Sequence, residues 1–141
     1  HEMTHLIFRD FVGFKGEIPL WLNEGVSQWE ERAKRARLAG IARTLAARNS
    51  YISFDKIMLM DVKKVVASGQ AGNFYAQSVS MVGFLIEKLG SDRFRVFCGH
   101  IRDGKSFDDS LRFAYPETIR NIGDFEKAWK KYVVEQQEAE K

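Results

Sequence analysis

Apolar residues recur along this chain at intervals of three and four, the period of a helix face rather than of a strand. Met3, Leu6, Ile7, Phe11 and Phe14 form the first such stripe, with Gly13 and Gly16 marking its stop. Pro19 stands where a first helical turn tolerates it, ahead of Leu20, Trp21, Leu22, Val26 and Trp29. This second helix is expected to run into the charged stretch 30–37, with Gly40 breaking it before residues 41–48 resume. Asn49, Ser50 and Ser53 read as a loop, and Ser53 or Asp55 is a candidate cap for a short helix ending near Leu59. Gly69, Gly72 and Asn73 read as another loop. Tyr75, Val79, Val82, Ile86 and Leu89 then form one amphipathic stripe that ends at Gly90. Phe94, Phe97, Cys98 and Ile101 predict a helix closed at Gly104, Ser106 begins a short one through Phe113, and a last one starts near Gly123. No segment has strand character and every loop is short. The pattern therefore predicts one all-α unit over residues 1–141.

Composition agrees with a folded domain: 45% of the 141 residues are hydrophobic and 13% aromatic, enough for a sizeable core. The 22 basic and 19 acidic residues leave a net charge of only +3, so nothing in the balance calls for nucleic acid or an anionic membrane. A lone cysteine, Cys98, excludes an internal disulfide. No apolar run approaches the roughly 18 residues of a membrane helix, and no segment reads as a signal peptide.

The chemistry concentrates at the start. In His1-Glu2-Met3-Thr4-His5 the two histidines are one helical turn apart, so both imidazoles face the same side and can reach one metal ion. Glu2, beside the first histidine, is placed to take a proton from metal-activated water rather than to bind the metal. Eighteen residues separate His5 from Glu24, which lies in Trp21-Leu22-Asn23-Glu24-Gly25. A short turn between two antiparallel helices would bring Glu24 to face the histidines as a third ligand, leaving a fourth position for water. Spacing alone equally allows Glu24 to be an exposed acid near a helix start.

Together the two motifs resemble the gluzincin clan of zinc metallopeptidases, and most closely its small bacterial peptidase-MA-like members, which read P-x-W-L-x-E-G around the third ligand. The spacing is also that of aminopeptidases in this clan. The resemblance extends along the whole chain, through Tyr75-Ala76-Gln77-Ser78, residues 84–90, residues 104–107 and the closing Phe125-Glu126-x-x-Trp129. It implies a helical zincin subdomain that holds Zn2+ through His1, His5 and Glu24. Glu2 would be the general base, Tyr75 a stabiliser of the oxyanion, and a peptide or protein the substrate. In the clan a β-sheet precedes the metal helix, so the resemblance further implies that much of the substrate cleft lies upstream of His1. Tyr75 is also in phase with Val79, Val82 and Ile86, which suits a packing residue.

Other features read as structural. The arginine-rich run 31–48 has interleaved Ala, Leu and Ile residues, the pattern of a solvated face over a buried stripe, and lacks the aromatics that stack on bases. Asp108 and Asp109 are adjacent and point apart. Cys98 and His100 lack further ligands. Asn23, Ser27 and Gln28 are near Glu24 in sequence only. Trp21, Trp29 and Trp129 are expected in the core. Two rival readings are a zinc-binding but catalytically idle interaction domain, against which the base Glu2 argues, and a basic helical binding module.

Overall fold

The computed structural model describes the backbone of residues 19–29 and 31–139, with side chains to residue 135. Its elements are α1 (Leu20–Trp29), α2 (Arg32–Ala47), α3 (Phe54–Ile57), α4 (Val62–Ser68) and α5 (Ala71–Gly83), the last continued by a π-helical turn over Phe84–Lys88. There follow α6 (Ser91–Arg102), α7 (Phe107–Ala114) and α8 (Ile122–Ala139). Among the described residues there is no strand, as the 3.6-residue periodicity requires. No described helix is long and apolar enough to cross a membrane.

The expected break at Gly40 is not there. α2 runs through it unbroken, and Glu31 is the extended residue that precedes α2. One helical glycine costs about 1 kcal/mol, less than the burial of Leu38, Ala42 and Ala46 on the stripe that spans it. Arg32, Lys34, Arg37 and Arg48 of the basic run are exposed, in keeping with a solvated face. Arg43 and Arg35 are half-buried, and the Arg35 Nε donates to the Trp29 carbonyl at 2.9 Å, with its guanidinium 3.7 Å from the Trp29 ring centroid. It thus satisfies a carbonyl left open at the C-terminus of α1.

Asn49 and Ser50 end α2 as a Schellman motif. Asn49 adopts φ 54°, and the N–H groups of Asn49 and Ser50 donate to the carbonyls of Ala46 and Leu45. The expected loop at Gly72 and Asn73 is instead the first turn of α5. Gly69, in the left-handed region at φ 70°, ends α4, and Gln70 directly precedes α5. Ser53 does precede α3, but its hydroxyl makes no capping bond. The free N–H of Phe54 is taken by Glu126 Oε1, 2.6 Å away on α8. Ser106 caps α7 as expected, accepting from the N–H of Asp109 at 3.1 Å.

α5 is the central helix, with α1 and α2 packed on it. Phe125 is the aromatic hub, with ring centroids 4.9 Å from Phe54, 5.9 Å from Trp21 and 6.2 Å from Phe84. All three tryptophans are buried. Trp129 Nε1 donates to Ser80 Oγ and Trp21 Nε1 to the Met58 sulfur, each at 3.0 Å. The closing Phe-Glu-x-x-Trp segment is therefore an assembly device: Phe125 and Trp129 fill the core, while Glu126 holds α3 and accepts from the Tyr51 hydroxyl at 3.0 Å.

Candidate metal and catalytic site

His1, Glu2 and His5 lie outside the described residues. Glu24 and Tyr75 lie within them, and one close contact sets their relation. A Cβ built on Gly25 would sit 2.6 Å from the Ser78 carbonyl oxygen and 2.6 Å from Val82 Cγ2. Only a residue without a side chain lets α1 approach α5 so closely, and the small, fully buried Ser78 receives it. One turn further on, Trp29 lies over Gly83, where a Cβ would be 3.2 Å from Nε1. The contact packs α1 on α5, with Glu24 adjacent to it in α1 and Tyr75 one turn before Ser78 in α5.

Glu24 is partly exposed, and among the described residues its side chain has no hydrogen-bond or ion-pair partner. A carboxylate with open oxygens on a packed helix fits a cation, and two imidazoles plus one carboxylate is a donor set of catalytic zinc. Described residues alone provide no group of three His, Cys, Asp or Glu that could hold a metal. Tyr75 is half-buried, packs against the core and meets Phe74 edge-on at 5.7 Å. Asn23 and Ser27 are exposed on α1 and Gln28 is half-buried.

The residues set aside as structural behave so. Asp108 accepts from the Ile122 N–H at 3.1 Å while Asp109 pairs with Arg112. Cys98 is buried, and His100 packs against Phe113 with ring centroids 5.5 Å apart. Gln77 escaped the sequence reading. It is fully buried and clamps both backbone groups of Ile52, accepting from its N–H at 2.8 Å and donating to its carbonyl at 2.7 Å. A polar residue within an apolar helical stripe was the available signal.

Among the described residues the domain is all-helical, with the Trp21–Gly25 segment pressed against its central helix. The family model of the Peptidase MA superfamily matches residues 1–135, and the chain belongs to that superfamily. No curated protein and no solved structure gives a significant match.

Proposed function

We propose that this domain is a zinc-dependent peptidase that cleaves peptide bonds in peptide or protein substrates. The observation that carries the reading is Glu24: an open carboxylate held beside the Gly25–Ser78 contact, in a superfamily match that also spans the His-Glu-x-x-His motif. His1, His5 and Glu24 would hold the metal. Bound Zn2+ supplies a Lewis acid that acidifies a water and polarises the scissile carbonyl. Glu2 takes a proton from the attacking water and returns it to the leaving amine. Tyr75 donates its phenol to the carbonyl oxygen as negative charge develops there.

Metal content and hydrolysis are read separately to test this. Glu24→Ala should lose zinc after dialysis, measured by atomic emission, and full metal at unchanged affinity would overturn the ligand assignment. Glu2→Gln should keep zinc while hydrolysis of a mixed peptide library falls about 100-fold or more. If Glu2→Gln remains active the proton-transfer role is wrong, and if the intact chain holds zinc without hydrolysing anything the domain is an idle zinc-binding module.

A further inference from the structure

A second groove lies away from the α1–α5 contact, between the segment after α2 and the helices α3 and α4. One wall is Tyr51, Ile52 and Ser53; Lys56, Leu59 and Lys64 line it elsewhere, and its volume is about 710 Å3. Gln77 occupies both backbone groups of Ile52 from the core side, just as a neighbouring strand would. Across a trans peptide the C=O and N–H point in opposite directions, so the Tyr51 C=O and the Ser53 N–H point away from Gln77. Neither bonds to anything among the described residues. Tyr51 and Ser53 both line the groove, so this acceptor and donor flanking Ile52 form a one-residue pairing edge on its wall.

The rest of the lining says what pairs with that edge. Leu59 is 72% exposed, so an aliphatic side chain is already presented to a ligand. Both charged residues that line the groove are lysines, Lys56 and Lys64, and no Asp or Glu lines it. A backbone acceptor and donor flanking Ile52, an apolar contact and two ammonium groups suit one ligand chemistry. We infer that this groove binds an extended acidic peptide, paired as an added strand to Tyr51–Ser53 with its carboxylates on Lys56 and Lys64. The edge supplies affinity without side-chain specificity, and the lysines select for acidic sequence. Binding here is independent of the metal chemistry.

Fluorescence anisotropy with a dye-labelled peptide of alternating Glu and Val tests this on the intact chain. Saturable binding is expected, with a Lys-Val counterpart at least about 10-fold weaker. Lys56→Glu with Lys64→Glu should weaken binding about 10-fold or more and reverse the preference; an unchanged affinity overturns the proposal. Ser53→Pro probes the edge itself. Ser53 has φ −57°, within the range a proline ring fixes, and neither its hydroxyl nor its N–H makes a bond that holds α3. The variant should melt near the parent temperature yet bind about 2- to 10-fold more weakly, the worth of one hydrogen bond. N-methylating alternate residues of the probe tests the same bonds from the ligand side without altering the protein. Binding insensitive to N-methylation excludes strand pairing. No saturable binding, or sedimentation showing a dimer that the double lysine variant abolishes while the peptide fails to bind, overturns the proposal and in the second case assigns the edge to another copy of the chain.

Discussion

Gly25→Ala is the sharpest probe of the helix pair that positions Glu24. The new methyl carbon would stand 2.6 Å from the Ser78 carbonyl oxygen and from Val82 Cγ2, and 3.1 Å from the Ser78 carbonyl carbon. Ordinary contact begins nearly 1 Å further out. Two of these three atoms are backbone within α5, and Val82 is fully buried, so neither neighbour can swing aside. α1 must therefore retreat. Overpacking of this kind costs about 1–3 kcal/mol, and a rigid backbone partner puts it near the top of that range. Replacing a helical glycine by alanine returns up to about 1 kcal/mol, which leaves a net loss of about 2 kcal/mol. For a domain of this size that lowers the melting temperature by roughly 5–10 °C. Gly40→Ala is the matched control. The nearest atom its new methyl would meet is Nη2 of Arg43, on the same helix, at 3.8 Å, so only the propensity gain remains and stability should rise by about 0.5–1 kcal/mol. Thermal melts followed by circular dichroism compare the two. If Gly25→Ala proves as stable as Gly40→Ala, the close approach of α1 to α5 is wrong. Because the contact adjoins Glu24, Gly25→Ala should also weaken zinc retention and peptide hydrolysis, while Gly40→Ala leaves both unchanged. Displacements near 1 Å can lower turnover about 100-fold.

Tyr75→Phe should cut peptide turnover about 100-fold with zinc content and melting temperature largely kept, since one oxyanion donor is worth roughly 3 kcal/mol; unchanged kcat would leave Tyr75 a packing residue. Tyr115→Phe should be neutral or stabilising by up to about 1 kcal/mol in urea unfolding, because the buried Tyr115 hydroxyl has no hydrogen-bond partner among the described residues and removing it relieves a desolvation penalty. Glu126→Ala should cost about 2–3 kcal/mol by stranding the Phe54 N–H and the Tyr51 hydroxyl at once, whereas Glu126→Gln, which keeps an acceptor for Phe54, should cost less in the same assay. Burial raises the pKa of Tyr51, helped by its hydrogen bond to Glu126, and burial raises that of Tyr115 further. The native state therefore keeps these protons to higher pH than the unfolded chain. That contribution is complete below the usual tyrosine range near 10 and is lost as pH climbs through the folded values. Absorbance at 295 nm should show both phenols ionising late, with unfolding at alkaline pH; early ionisation of all tyrosines in a still-folded chain would contradict their placement.

The helical class, most helix limits after residue 50 and the burial of all three tryptophans were legible in the sequence, because each rests on local information. A period of 3.6, a Ser106 that can reach its own helix's N–H groups, and glycines at Gly69, Gly90 and Gly104 with positive φ act within a few residues of themselves. The candidate chemistry could be named for the same reason: His-Glu-x-x-His spans five consecutive residues, and Trp-Leu-Asn-Glu-Gly identifies itself by residue order. Where local and tertiary terms competed, packing decided. Gly40 looks like a breaker, yet the buried stripe of Leu38, Ala42 and Ala46 carries the helix through it. Three features belong to the tertiary structure alone. Gly25 presses on Ser78 across 53 residues of chain, Glu126 holds the start of α3 from 72 residues away, and Gln77 grips Ile52 from 25. Sequence spacing carries no record of such partners, because what selects them is the distance between packed helices and the need to satisfy each buried polar group.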